Sequence, residues 1–433
     1  MDKKIEPKIL QGFRDLSPNE ANTRLSLIRQ IEKTSQLFGY LPLETPALEY
    51  AEVILGKYGQ EGEKLIYKFK DLGEREIALR YDLTVSLARY IAQNSRNITK
   101  PFKRYQYGLV WRAEKPQKGR FREFGQFDFD IIGTDSYQAE AEIINLDYQI
   151  LSDLGADNFQ ILINSRKFLS SILDKFSVDQ NLIPRIFQII DKIDKIGKET
   201  VINELRNLNI SEDSVLEIEK FIGLTGSNDD ILNQVENLID AKEEIDNFRQ
   251  ILATIQDYGL DMSKIKIDFS LARGLDYYTG FIIETKIIGA EEFGSVASGG
   301  RYDDLVKMFS DEKLGSVGFS IGIDRLIEAL GSINKLPKTK ETKALMVFDQ
   351  KTQNKALEIV KGLRQKDVAI EIYLNNADLG KKLKYANNKK IPYVIILETP
   401  ELETNTVKIK NMTNGEQKNI ELNIEKIIQE IIS

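Results

Sequence analysis

The chain reads as an α+β protein followed by a small α/β unit, and three observations carry that expectation. In the first third, alternating apolar and polar runs flank short turn-like segments, as antiparallel hairpins require. From about residue 168 to 262 only helical spacing appears, so this stretch reads as a helical insertion between two parts of one sheet domain. Beyond a polar, proline-containing linker at residues 331–342, strand and helix signals alternate, which predicts a parallel sheet. The expected organisation is a first domain over 1–330 holding the insertion, the linker, and a closing domain over 343–433.

Taken in order, Ser17-Pro18-Asn19-Glu20 is a capping box with proline at the first helical position. The helix it opens is expected to bury Leu25, Ile28 and Ile31 and to stop at Gly39. An extended stretch with Pro42 and Pro46 follows. LIYKFKD and EIALRYDLT then read as a hairpin with Leu72-Gly73 near its turn. FGQFDFDIIG alternates as a strand does, and SYQAEAEIINLDYQILSDLG reads as a long helix ending at Gly155. After the insertion come the strands KIKIDF and FIIETKI, then SVGFSIGIDRLIEALG, a glycine-marked strand running into a helix. The closing domain reads KALMVF, helix, VAIEIYL, helix, YVIILE, a hairpin at Asn414-Gly415 of the type I′ kind, and a last helix.

Composition narrows the chemistry. A chain of 433 residues, 42% hydrophobic and 29% charged, is an ordinary globular composition. Apolar runs such as YVIIL are too short to span a bilayer, and the start MDKKIEPKILQGFRDL has no apolar signal region. Cysteine and histidine are both absent. That excludes disulfides, Cys or His metal sites, cysteine nucleophiles and Ser-His-Asp catalysis, and it fits a cytoplasmic protein. The net charge of −7 argues against a nucleic-acid coat, so any such contact is local. The stretch 103–122 qualifies, with Lys103, Arg104, Arg112, Lys115, Lys118, Arg120 and Arg122 against Glu114 alone.

Four constellations carry candidate chemistry. In residues 107–133 a strand bearing Arg112 and Glu114 turns through a basic loop and returns with Phe124, Gln126 and Asp130; positions 124, 126, 128 and 130 share one face. An arginine fork suits a phosphate and a phenyl ring offers a stacking face, though an exposed antiparallel pair with a charged wet face fits the same pattern. In GSVGFSIGIDRL, Gly318 and Gly322 permit close approach and Arg325 opens a helix, a pattern that packing also explains. In ALRYDLT, Asp82 and Thr84 can project to one side of a strand end, or cap the helix that follows. LARGLDYYTG sets Arg273, Tyr277 and Tyr278 at a strand junction, with SGGRYDDL after it, where structure alone does not account for the arginine.

Together these motifs resemble the histidyl-tRNA synthetase family of class II aminoacyl-tRNA synthetases, essentially end to end. LARGLDYYTG and SGGRYD resemble its histidine-specific signatures, RAEKPQKGRFREFGQFDFDIIG class motif 2, GFSIGIDRL motif 3, and the LFGYLPLETP region motif 1. The resemblance implies a catalytic domain on a mostly antiparallel sheet, a helical insertion near the tRNA acceptor arm, a C-terminal α/β anticodon-binding domain, and a homodimer with motif 1 at its interface. It implies ATP with Mg2+, L-histidine and histidine tRNA as substrates and partners, with no membrane. The activity would be formation of histidyl-adenylate and transfer to the 3′ end of the tRNA.

By motif position, the resemblance makes Arg112, Arg273 and Arg325 catalytic. Arg112 and Arg273 would act on the carboxylate and α-phosphate, Arg325 on the γ-phosphate. Glu114 and Phe124 would grip adenine. Asp82, Leu83, Thr84, Gln126 and Asp130 would bind the amino acid's polar atoms, with Tyr277 and Tyr278 lining the imidazole pocket. Lys115, Gln117 and Lys118 would meet the tRNA. A histidine-sensing paralogue, the regulatory subunit of ATP phosphoribosyltransferase, shares the fold but lacks the C-terminal domain and degrades the arginines. A tRNA-binding protein that has lost the chemistry is the other alternative.

Overall fold

The computed structural model describes residues 4–58, 62–116, 119–272, 277–337 and 341–432. The chain divides into two compact units, Met1–Pro337 and Lys338–Ser433.

The first unit is organised by an eight-stranded sheet. In chain order its strands are β1 (Leu41–Pro42), β5 (Phe102–Trp111), β6 (Glu123–Ile132), β7 (Phe159–Ser165), β8 (Ile265–Ile267), β9 (Phe281–Ile287), β10 (Ala297–Arg301) and β11 (Ser316–Gly322). Between β1 and β5 lie β2 (Leu48–Tyr50), β3 (Lys68–Lys70) and β4 (Glu76–Leu79), which form a separate three-stranded sheet. The spatial order of the main sheet is β1-β5-β6-β11-β10-β9-β7-β8. The two outermost pairs, β1 with β5 and β7 with β8, are parallel; the rest are antiparallel.

Strand alternation divides the chemistry of β6. Phe127, Phe129 and Ile131 turn into the core, where Phe129 stacks between Phe127 and Phe319 of β11 at centroid distances of 5.0 and 4.8 Å. The even-numbered residues face the other way. The core side is covered by helix Pro18–Leu37, helix Gln138–Asp153 and the insertion, which is strand-free between β7 and β8 among the described residues.

The helix starting at Pro18 carries its capping box: the Ser17 amide donates to the Glu20 carboxylate at 2.8 Å, and the Glu20 amide to the Ser17 hydroxyl at 3.4 Å. Its buried stripe is rotated from the expected one. Leu27 and Ile31 are fully buried, whereas Leu25 is 48% exposed. The β3–β4 hairpin forms around Leu72-Gly73, with the left-handed residue at Glu74 (φ 59°) instead of the glycine.

In the second unit β12 (Ala344–Phe348) runs parallel to both β13 (Ile370–Ile372) and β14 (Tyr393–Leu397). The strands β15 (Thr406–Asn411) and β16 (Gln417–Glu421) extend that sheet antiparallel. The β15–β16 hairpin is present but is not a tight type I′ turn. Only Gly415 has positive φ, at 77°, and the Asn411 amide pairs with the Glu416 carbonyl across a wider loop.

Candidate active site

The even-numbered face of β6 opens onto a cavity of about 540 Å³. Asp82, Thr84, Arg112, Glu114, Phe124, Gln126, Asp130, Tyr277, Tyr278 and Arg325 all line it. Segments almost 200 residues apart are thus brought to one site by the β6–β11 pairing, in which Asp130 faces Gly318 and Gln126 faces Gly322. Gly318 is required there. A Cβ at that position would sit 2.2 Å from Asp130 Oδ1, so close packing of the carboxylate is what the glycine provides. Gly322 is not crowded, its nearest neighbour being 3.7 Å from such a Cβ.

At the inner end of the cavity, tyrosine hydroxyls are set against carboxylates. Tyr58 donates to Asp82 Oδ1 and Tyr277 to Asp82 Oδ2, each at 2.9 Å. Oδ1 also accepts from the amides of Thr84 and Val85, at 3.1 and 3.2 Å, so the aspartate caps helix Thr84–Asn94 as well as facing the cavity. Asp130 accepts from the Tyr302 hydroxyl and pairs with Arg104 at 2.7 Å. Burial, reinforced by the adjacent carboxylates, pushes the Tyr58, Tyr277 and Tyr302 phenols well above their ordinary range, so they remain donors. Burial also raises Asp130, with Arg104 and the Tyr302 hydroxyl pulling it back.

Arg112 lies over two rings, 4.2 Å from the Tyr81 centroid and 5.2 Å from that of Phe124. Its Nε donates to the Tyr81 carbonyl at 3.1 Å, which fixes the plane of the guanidinium. Arg325, two residues into helix Ile323–Ser332, donates to the Ser295 carbonyl at 2.9 Å. Asp324, just before it, accepts the Gly125 amide at 2.7 Å and also pairs with Arg14 and Arg24. It thereby locks the helix carrying Arg325 to β6 between Phe124 and Gln126.

Leu83 is fully buried, packs beside Gly108 and does not line the cavity. Arg273, Gln117 and Lys118 lie outside the described residues. The basic stretch 103–122 is largely consumed internally: Lys103 pairs with Glu142, Arg104 with Asp130, and Arg122 donates to the carbonyls of Glu114 and Gln11. Lys115 is exposed, and Arg120 lines the cavity.

Several residues of the site carried no individual nomination from sequence. Tyr58 and Ser320 are singled out by no motif, Arg104 is counted only within the basic stretch, and Asp128 is placed on the right face without a role. Asp191 and Lys195 of the helical insertion also line the cavity, a contact that spacing cannot show.

Comparison with known proteins places this geometry. A family model described as Histidyl-tRNA synthetase matches residues 12–326, and one described as Anticodon binding domain matches 337–433. The histidine–tRNA ligase of Wolinella succinogenes is 40% identical over 423 residues, covering 96% of each chain. That of Helicobacter hepaticus is 38% identical, covering 95% of this chain and 96% of its own. A crystal structure of histidyl-tRNA synthetase from Nostoc sp. superposes with a TM-score of 0.88 at 30% identity, covering 99% of this chain and all of that one. An ATP phosphoribosyltransferase regulatory subunit/histidyl-tRNA synthetase from Bacillus halodurans shares the fold at a TM-score of 0.75 and 21% identity.

Proposed function

Because the chain belongs to the histidyl-tRNA synthetase family and is a histidine–tRNA ligase, we propose that the cavity on β6 is where histidine and ATP react. The observation that carries this is the ordering of groups along one strand face. Phe124 opens the face beside Arg112, and carboxylates braced by tyrosines complete the lining. Adenine lies against Phe124 and Glu114, the histidine carboxylate and α-phosphate meet Arg112, and the γ-phosphate meets Arg325. The imidazole ring sits against Tyr277 and Tyr278.

Negative charge accumulates on the α-phosphate as the carboxylate attacks in line, and fixed cations stabilise it without any proton transfer. The nucleophile is already ionised, so the adenylation step needs no general base. A chain without histidine is therefore competent for it. Arg273 supplies the second cation at the α-phosphate. Mg2+ enters with ATP as counter-ion to its phosphates. The protein's own share of the positive charge at the phosphates is carried by its arginines, of which Arg112 and Arg325 line the cavity.

Lys115, Gln117 and Lys118 approach the acceptor end of the tRNA. The first domain, 1–330 with its insertion at 168–262, carries the chemistry, and 343–433 reads the anticodon. A homodimer is supported by the exposed apolar side chains Leu37, Leu41, Leu48 and Tyr50 around β1, which is an edge strand of the main sheet. A cytoplasmic location follows from the substrates. Among the described residues no helix is long and apolar enough to cross a membrane.

Histidine-dependent ATP–pyrophosphate exchange, followed by aminoacylation of histidine tRNA, tests the reading. Both activities are expected. Exchange without aminoacylation would remove the ligase role, and histidine binding with neither would leave a sensor.

A further inference from the structure

The segment ahead of the first helix, residues 4–17, forms no helix or strand, yet it is tied to the wall of the cavity. Its residues 11–14 lie against the return limb of the loop between β5 and β6. The Gly12 carbonyl accepts the Arg122 amide at 2.8 Å, and the Gln11 carbonyl accepts the Arg122 guanidinium at 3.2 Å. Gly12 has φ 86°, and a Cβ there would stand 2.8 Å from the Arg122 side chain, so glycine is what lets the two segments come this close. Phe13 meets Tyr67 edge-on at 6.3 Å between centroids, a second anchor for the arm. Gly119, Arg120 and Phe121, in the limb that the arm lies against, line the cavity.

Arg14 joins this loop to a second part of the wall. Its guanidinium lies over the Phe121 ring, 3.7 Å from the centroid, and pairs with the Asp324 carboxylate. Asp324 precedes Arg325 in helix Ile323–Ser332 and also accepts the Gly125 amide at 2.7 Å. One side chain therefore links the loop after β5 to the helix after β11. The task suits a guanidinium, whose flat face covers a ring while its edge donates to a carboxylate; an ammonium cannot do both. Arg14 itself is part-buried and does not line the cavity.

We propose that Arg14 is a positioning residue for ATP, a brace that holds the loop Gly119–Arg122 against helix Ile323–Ser332 before ATP arrives. The proposal rests on the assignment of ATP to this cavity. Glu114 and Phe124, the groups assigned to adenine, flank that loop in sequence, and Arg325, assigned to the γ-phosphate, follows Asp324. A ligand's apparent affinity falls by the fraction of time its site spends in the competent arrangement, and the brace raises that fraction. The groups assigned to histidine are held by other contacts, among them the bonds of Tyr58 and Tyr277 to Asp82, so histidine does not depend on the brace.

In ATP–pyrophosphate exchange, Arg14→Ala is expected to raise KM for ATP about 5- to 30-fold, the equivalent of losing a cation–π contact and a charge-assisted hydrogen bond, and to leave KM for histidine unchanged. Arg24→Ala is the control. It removes the other guanidinium that pairs with Asp324 and leaves the contacts between arm and loop in place, so KM for ATP should stay at the parent value. Phe121→Leu combined with Arg14→Ala should be no worse than the worse single variant, because both remove one contact. An unchanged KM for ATP in Arg14→Ala overturns the proposal, as does an equal rise in both KM values, which would mark a general loosening. A rise of the same size in Arg24→Ala also overturns it, by placing the effect in Asp324 alone, and so do additive effects in the double variant. If Arg14→Ala does not fold, Arg14→Lys keeps a charge at Asp324 and loses the ring contact; it should raise KM for ATP by a smaller factor, and an unchanged value there overturns the proposal equally. Absence of histidine-dependent exchange in the unsubstituted enzyme would overturn the assignment of the cavity, and this proposal with it. Normal exchange with an unmoved KM for ATP overturns this proposal alone.

Discussion

Arg112 shows why one cation type is needed in the cavity. Its flat guanidinium lies over Tyr81 and Phe124 and is anchored through Nε, so its terminal nitrogens can be presented as a fork to two oxygens at once. A lysine ammonium cannot stack on those rings or donate as a fork. Arg112→Lys is therefore expected to slow adenylate formation about 10²- to 10³-fold, the usual cost of removing one preorganised charge donor, while histidine and ATP affinities change far less. Single-turnover measurement of adenylate formation checks this, and an unaltered rate removes Arg112 from the chemistry. Arg273→Ala carries the same expectation by its motif position. Arg112, Arg325, Phe124, Tyr277 and Tyr278, all of which line the cavity, were legible in the sequence from residue type and motif. Which carboxylates a hydroxyl braces was not. That depends on where the hydroxyls of Tyr58, Tyr277 and Tyr302 reach, and these come from three distant segments.

At the level of elements, the contact of helix Gln138–Asp153 with the sheet contains a feature that chemistry at the cavity does not use. Asp147 is fully buried against β9, accepts from the Thr285 hydroxyl, and has its other oxygen unpartnered. Burial pushes its carboxyl up to about 7, with the Thr285 hydrogen bond opposing. The folded protein then keeps a proton that the unfolded chain gives up near pH 4, so stability falls as pH rises from about 4 to about 7 and levels off above that. Asp147→Asn removes the titration. Its melting temperature is expected to exceed that of the parent by on the order of 5 °C at about pH 8, with the gap closing by about pH 4. A gap that is constant with pH would show that Asp147 does not titrate in this window. The same helix illustrates what spacing reveals and what it omits. Its apolar stripe predicted its existence and its end at Gly155, but an aspartate on the buried stripe reads as a surface residue until the strand behind it is known. Counting the charge of the basic stretch 103–122 meets a related limit. Charge counted along the chain cannot tell an exposed lysine from Arg104, which is fully buried within β5.

Across the whole molecule, the feature that sequence states outright and no single element explains is the absence of histidine from all 433 residues of an enzyme that charges histidine tRNA. The chemistry tolerates it, because fixed arginines and an already ionised nucleophile do the work at the α-phosphate. The fold tolerates it too, since the buried hydrogen bonds of the cavity are made by tyrosine, carboxylate and arginine. The consequence is kinetic and lies outside the folded structure. A message with no histidine codon is translated without charged histidine tRNA, so a starved cell goes on making the enzyme it needs when histidine returns. Lys361→His introduces one such codon at an exposed position on helix Gln353–Gln365, where the fold has no stake in the side chain. In a histidine-depleted cell-free system the natural message is expected to give full-length protein at its ordinary yield, and the Lys361→His message to stall until histidine is added. Cells whose only copy carries that codon should then resume growth after histidine starvation with a longer lag than cells carrying the natural one. Equal lags, with the stall confirmed in vitro, would leave the missing histidines as a composition the enzyme permits without gain from it.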